Sequence, residues 1–303
     1  MLAKSGQITS FKRIKLFLEM VKFEHTIFAL PFAYLGALWV AGPAPYGRPN
    51  VPTFYQLFWI TIVMVGARTF AMTANRLIDR EIDARNPRTA ERALPKKLLS
   101  VPEVIIYMII SFLVFIVAVY QLSPLAKMLW PIALVAFSYY SYLKRFFPLA
   151  NLGLGFCLSL APLGAWIAVT NSVSLPAVLL ALAVFAWASG FDIIYSCQDY
   201  EIDKEQNLRS IAVCFGIRNA LCTTKYLHVL TIILLIAAGI VSNFGFIYFI
   251  GIGIASLLLI YENIIVKADD LSRIDAAFFT LNSFFSVIIF AFALIEILKT
   301  RLA

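Results

Sequence analysis

Two short stretches of the chain carry nearly the same acidic pattern, DREID at 79–83 and DYEID at 199–203. Read backwards, the first extends to NRLIDREID (75–83) and the second to DIIYSCQDYEID (192–203). At helical spacing Asn75, Asp79 and Asp83 step along one face, and Asp192, Asp199 and Asp203 fall within about 40° of one another. Arg68, seven residues before Asn75, shares that direction, whereas Glu81 and Glu201 point elsewhere. Five carboxylates and an amide, without His or Cys, make a hard oxygen site. Such ligands suit Mg2+, which keeps part of its water and commonly shares itself with phosphate oxygens. Two such clusters facing each other would suit two or more Mg2+ ions bridging a diphosphate. The basic residues that follow supply a second half to this chemistry. Lys144, Arg145, Arg85, Arg88 and Arg92, with Arg68, are candidates to pair with phosphate oxygens. Lys96 and Lys97 are better read as ordinary loop cations.

The elements that must position these residues are written in the composition. Of the 303 residues 61% are hydrophobic and 14% charged, with a mean hydropathy of +0.86. That leaves too little polar surface for a water-soluble domain. Nine apolar runs, at 26–42, 55–76, 101–121, 125–143, 151–170, 176–198, 220–241, 245–263 and 274–297, are long enough to cross a hydrocarbon core. They are continuous rather than alternating, which excludes a membrane β-barrel. The expected fold is an all-α integral membrane protein, one domain over 1–303 with nine transmembrane helices around a central cavity. No removable signal segment is expected. Ile14, Phe17, Leu18 and Val21 lie at helical spacing beside Lys12, Arg13 and Lys15, so 1–24 is expected to form an amphipathic helix on the membrane surface.

Sorting the basic residues by face puts 20 of the 25 on the side that carries both acidic motifs. The net charge of +8 is therefore a topology signal rather than a nucleic-acid surface, and the motif face is expected in the cytoplasm of a multi-pass cell-membrane protein. The offset of 120 residues between the motifs spans four runs and predicts two four-helix pseudo-repeats plus one helix. Cys157, Cys197, Cys214 and Cys222 form no CxxC pair, and His25 and His228 lie far apart, so neither a disulfide framework nor a zinc or haem site is expected. Carboxylates at a bilayer boundary are costly and mark function by default. Asp192, nearest the apolar interior, is the hardest to assign to helix-end solvation.

NRLIDREID with the following ARNPRTAERALP, and DIIYSCQDYEID later, resemble the UbiA superfamily of intramembrane prenyltransferases, whose signatures are NxxxDxxxD and DxxYxxxD with a further Asp four residues on. The resemblance extends to KFEHTIFALPFAYLGAL (22–38), YLKRFFPLANLGLG (142–155) and LAPLGAW (160–166), and covers most of residues 20–220. The final third matches only in being hydrophobic. One departure is SIAVCFG (210–216), where the family commonly has a Ser-Ile-Pro stretch.

The resemblance implies transfer of an isoprenyl group from a polyprenyl diphosphate, geranyl or longer, to a small aromatic acceptor, with release of pyrophosphate. It implies Mg2+ on Asn75, Asp79, Asp83, Asp192, Asp199 and Asp203, with Asp79, Asp199 and Tyr195 as catalytic residues. Aromatic faces near the allylic cation are then expected from Tyr139, Tyr140, Tyr142 and Tyr195. Lys22 and Glu24 could touch the acceptor. The wording of the motifs is most similar to members acting on hydroxybenzoate- or naphthoate-type quinone precursors. Prenylation of geranylgeranylglyceryl phosphate or of haem are the alternatives within that chemistry. A different class, an ion-coupled transporter, would also use intramembrane carboxylates and an internal repeat. It usually places them midway on broken helices, and here they cluster at one face. A CDP-alcohol phosphotransferase would need a DxxDG…AR…G…DxxxD run, which this chain lacks.

Overall fold

The computed structural model describes residues 10–22, 30–47 and 51–302, and within them the regular structure is helical, joined by turns and loops. His25, Glu24 and Arg48 lie outside the described residues. The helices are α1 (Ser10–Met20), α2 (Leu30–Leu38, prolonged by a 3-10 turn Trp39–Ala41), α3 (Phe54–Ile78), α4 (Arg80–Arg85), α5 (Val101–Val119), α6 (Pro124–Leu143) and α7 (Asn151–Thr170). They continue with α8 (Leu175–Ser196), α9 (Tyr200–Glu205), α10 (Ile211–Phe215), α11 (Ile217–Val241), α12 (Phe246–Ile265) and α13 (Asn282–Leu302), the last entered through a π-turn at Ala276–Leu281. A helix occupies part or all of each apolar run. Among the described residues seven are long and apolar enough to cross a membrane: α3, α5, α7, α8 continued to Glu205, α11, α12, and α13 with its π-turn. The apolar helix Leu30–Ala41 is shorter, and α6 carries Lys127 and an internal Pro131.

Local chemistry sets most of the ends. Thr53 with Gln56 and Ser100 with Glu103 form capping boxes that satisfy the first amides of α3 and α5. Proline occupies the first turn of α5, α6 and α8, where its missing N–H costs nothing. Asn171 and Asn207 take left-handed conformations after α7 and α9.

Neighbours pack closely because small residues sit at the crossings, the usual device of helices in lipid. A Cβ on Gly36 would lie 2.2 Å from the Pro162 carbonyl oxygen, so α2 and α7 touch backbone to backbone. Gly66 does the same against Phe115, joining α3 to α5. Beyond these, α7 packs on α8, α8 on α11, α12 on α13, and α13 returns to α2. The largest apolar cluster is built around Trp39, Trp187, Tyr248, Phe32 and Phe285.

Of the 1–24 segment, residues 1–9, 23 and 24 lie outside the described residues, and a helix runs over Ser10–Met20. Phe17 and Val21 are buried against Ala93, Leu94 and Leu99, while Ile14, Leu18 and Phe11 are exposed. The stripe divides because the 93–104 segment folds beneath α1, fastened by the Arg13–Glu103 ion pair and by Arg76 Nε donating to the Met20 carbonyl at 3.3 Å.

Candidate active site

The two acidic stretches meet at one end of the bundle, and the helices that carry them break in the same way. The α3 helix stops at Ile78, Asp79 takes φ −94 and ψ 4, and the short α4 follows. The α8 helix passes into a 3-10 turn, Asp199 takes φ −96 and ψ 6, and the short α9 follows. Both values lie in the sparsely populated bridge region, a frequent conformation of site residues. The continuous stripes expected from the sequence are therefore each interrupted at their central aspartate, where the backbone leaves the helical region before the next short helix begins. Pro87 then stops α4, since the residue before proline is driven out of the helical region, and Asn86 is extended at ψ 118.

On the first end Asp79 is 2% exposed. Its Oδ2 takes Lys144 Nζ at 2.7 Å and Asn75 Nδ2 at 2.9 Å. Its Oδ1 is buried without a hydrogen bond, the Arg145 guanidinium standing 3.5 Å away. Burial pushes the Asp79 carboxyl above its usual range and neighbouring Asp83 adds to the rise, while the charges of Lys144 and Arg145 oppose it. Asp83 receives both its hydrogen bonds from Arg92 Nη1, at 2.8 and 2.7 Å.

On the second end Asp199 Oδ1 accepts from Asn86 Nδ2 at 2.9 Å and from Arg88 Nε at 3.0 Å, and Arg88 Nη2 closes the fork on Oδ2. Arg88 also donates to the Tyr195 hydroxyl at 2.9 Å with its guanidinium 5.1 Å from that ring. Asp192 is held by Asn151 Nδ2 at 2.9 Å, and Asn151 Oδ1 accepts the Ile211 amide at 3.1 Å. Asp203 lies within electrostatic reach of Asp199, Asp79, Lys144 and Arg88. Lys144 reaches Asp192 in the same way.

Several residues that the sequence reading did not single out are thus part of the arrangement. Asn86 and Asn151 are polar partners of Asp199 and Asp192, Ser141 accepts from Asn75 at 3.1 Å, and Arg76 donates to the Asn75 side-chain oxygen at 2.7 Å. The available signal was polar residues inside or beside quoted motifs, namely Asn86 before Pro87 and Asn151 opening an apolar helix.

Other expected site residues stand elsewhere. Arg85 lines an outer cleft of about 460 Å³ with Arg80 and Tyr142, beyond the carboxylates, because α4 has turned its outer face that way. Arg145 also lines this cleft, donating to the Ile78 carbonyl at 2.8 Å and lying over Tyr142. Tyr139 and Tyr142 are 54% and 42% exposed and face outward with Phe146, so neither looks onto the acidic ends. Tyr140 and Arg68 instead line an apolar cavity of about 410 Å³ between α3, α5, α6 and α7, which also touches Met72, Trp130, Phe137 and Phe156. Lys22 is exposed in the turn after α1. Lys96 pairs with Glu91, and Glu81 and Glu201 are exposed.

The donor set fits Mg2+ by its chemistry: carboxylate and amide oxygens, one of them a buried Asp79 oxygen with no hydrogen bond. Among the described residues no three acidic, His or Cys side chains converge on a single point. That matches an ion held by one or two protein carboxylates and completed by water and phosphate oxygens.

Comparison with known proteins identifies the family. The profile of the UbiA prenyltransferase family matches residues 29–287. A Francisella tularensis subsp. novicida protein named 4-hydroxybenzoate octaprenyltransferase is 29% identical over 256 residues, 84% of this chain and 87% of its own length. The apo structure of a UbiA homolog from Aeropyrum pernix K1 superposes with a TM-score of 0.80 at 30% identity, covering 90% of this chain and 98% of that one. A UbiA homolog from Archaeoglobus fulgidus, solved with GPP and Mg2+, shares the fold with a TM-score of 0.68 at 20% identity, over 93% and 99% of the two chains.

Proposed function

This chain belongs to the UbiA prenyltransferase family, and from that premise we propose that it transfers an isoprenyl chain from a polyprenyl diphosphate to a hydroxybenzoate-type aromatic acceptor, with Mg2+ as cofactor and pyrophosphate as the leaving product. The observation that carries the reading is the joining of the two acidic helix ends by Asn86 and Arg88, which reach from the first motif's loop to Asp199. Carboxylates and cations of both ends are thereby gathered in one place, where a diphosphate would be held.

Asn75, Asp79 and Asp83 would offer ligands at the first end and Asp192, Asp199 and Asp203 at the second, with one or two of these carboxylates on any one ion and water or phosphate oxygens completing its shell. Bound there, Mg2+ would neutralise charge growing on the departing diphosphate. Lys144, Arg88 and Arg92 are paired with the same carboxylates, and with those oxygens on a metal ion their N–H groups would be available to phosphate oxygens. Tyr195, beside Arg88 and Asp199, would stand near the reacting end as a cation-stabilising ring, about 0.5–2 kcal/mol for such a contact. The apolar cavity beneath Tyr140 receives hydrocarbon and excludes water that would quench the cation. All nine helical runs cross the bilayer in this reading, as two four-helix pseudo-repeats plus α13 in one domain, with the acidic ends at the cytoplasmic surface.

The hydroxybenzoate choice is supported by the names of the curated relatives. Purified protein in lipid nanodiscs, given Mg2+, geranylgeranyl diphosphate and 4-hydroxybenzoate, should release pyrophosphate and form a prenylated acid of the expected mass. A panel including dihydroxynaphthoate and geranylgeranylglyceryl phosphate tests the acceptor. Turnover only with the glycerol phosphate would overturn the aromatic assignment, and undiminished turnover in EDTA would overturn the metal assignment.

A further inference from the structure

The last third of the chain, apparently featureless in sequence, holds a polar side chain network inside the membrane bundle. Glu262 on α12 is 0% exposed, and the described residues bring it no cation. Its Oε1 accepts from Asn282 Nδ2 at 3.0 Å, and its Oε2 has no hydrogen-bond partner. Asn282 Oδ1 in turn accepts from the Trp187 indole at 2.6 Å. An indole N–H can only donate, so the amide oxygen must face Trp187, and the amide nitrogen has two hydrogens left for other partners. They serve three acceptors, so one hydrogen is shared: besides Glu262 these are the Ala277 carbonyl at 2.9 Å and the Phe278 carbonyl at 3.3 Å. All three carbonyl and carboxyl acceptors fix one rotamer of one amide.

Those two carbonyls belong to the π-turn Ala276–Leu281. An inserted residue of this kind is uncommon and gathers at functional sites. Here the widening swings Phe278 onto the Tyr195 ring, centroids 4.1 Å apart, and onto Phe191 at 5.2 Å, with Phe279 edge-on to Tyr195 at 6.0 Å. Tyr195 is the ring whose hydroxyl accepts from Arg88, and Arg88 forks onto Asp199.

We propose that Asn282, locked by Glu262 and Trp187, is a positioning residue: it holds the π-turn open so that Phe278 sets the plane of Tyr195, and through it the Arg88–Asp199 pair. A buried acid in lipid is costly and is retained for a role, and the role here is orienting an amide. The inference rests on the reading of Tyr195, Arg88 and Asp199 as reaction-site residues.

The test is a double-mutant cycle in nanodiscs, read as kcat and KM for geranylgeranyl diphosphate and as the Kd of Mg2+–pyrophosphate. Asn282→Leu should lower kcat about tenfold or more, the scale of a misplaced reacting group, and Phe278→Leu, which leaves the polar triad intact, should reproduce it. Glu262→Gln keeps the Oε1 acceptor and should stay near wild type, whereas Glu262→Leu should match Asn282→Leu. In a Tyr195→Phe background the Asn282→Leu effect should shrink to within about twofold, because both variants sever the same link. Should Asn282→Leu not fold, Phe278→Leu with Tyr195→Phe completes the cycle. Multiplicative effects in that cycle would overturn the proposal and leave the triad a packing feature. A wild-type protein that binds Mg2+–pyrophosphate but transfers nothing would instead refute the transferase reading, and the cycle would still be decided by the pyrophosphate Kd.

Discussion

The two acidic helix ends have almost the same backbone and quite different support. Asp79 and Asp199 differ by a few degrees in φ and ψ, and each is followed by a six-residue helix. The first end takes one cation from its own loop and one from the end of a neighbouring helix: Asp83 is bound by Arg92 nine residues on, and Asp79 by Lys144, just after α6. The second borrows. Asp199 is bound by Asn86 and Arg88, both from the loop of the first end, and Asp192 by an asparagine rather than a cation. Equal geometry thus comes with unequal independence. A disturbance in the 86–92 loop reaches the second end directly through Asn86 and Arg88.

The strongest test of that picture treats the ends as equals. Asp79→Asn and Asp199→Asn should each cost about 10²–10³-fold in kcat, the scale of losing one charge-stabilising group, in a protein that remains folded by thermal unfolding. A variant of either residue with near wild-type Mg2+-dependent turnover would show that one end is not part of the reaction.

The next separates them. Arg88→Ala removes the fork that joins the ends, and Arg92→Ala only a pair within the first. The Arg88 variant should lose more kcat/KM, by about tenfold beyond Arg92→Ala, as expected when a bidentate charged pair spans two elements. Equal losses would mean that Arg88 acts as a loop cation and not as the link.

Asn151→Leu sharpens the point that Asp192 has no cation of its own. The change strands both the Asp192 carboxylate and the Ile211 amide, so it should cost about 1–3 kcal/mol of stability. In a thermal-unfolding series it should exceed Ser141→Ala, which removes a single acceptor from Asn75.

The smallest effect concerns pH. Metal binding needs the Asp79 carboxylate deprotonated, and burial has raised that carboxyl. Mg2+ affinity should therefore fall on acidification, starting above the range of an ordinary aspartate near ~3.9. Lys144→Met removes the opposing charge and should move the fall to higher pH. Metal-free stability runs the other way: with a folded pKa above the unfolded one, this carboxyl's contribution is full below the unfolded value and is lost as pH rises through the folded value. Comparison with Asp79→Asn, which cannot titrate, isolates both trends, and identical profiles for the two proteins would exclude Asp79 as their source.

Much of this was legible before any coordinates. Continuous apolar runs announce helices in lipid because an unsatisfied backbone cannot cross hydrocarbon, and each run does contain a helix. The pairing of two acidic motifs at one end followed from counting runs between them. The turn at each central aspartate was not legible, since residues 79 and 199 sit inside patterns that read as unbroken helix. Nor was the burial of Phe17 and Val21, which depends on a distant segment folding beneath α1.

The sequence by itself determined the class of the molecule, an all-helical chain with oxygen ligands and cations gathered at one face, because burial in lipid and charge placement are set by residue type and local spacing. Only the tertiary structure decided the partners: Arg88 rather than Arg85 on the second motif, Asn151 on Asp192, Glu262 and Asn282 behind Tyr195. Those contacts join residues from 20 to more than 100 positions apart. Many side chains of the same type could satisfy each rule, and helix packing selects which one arrives.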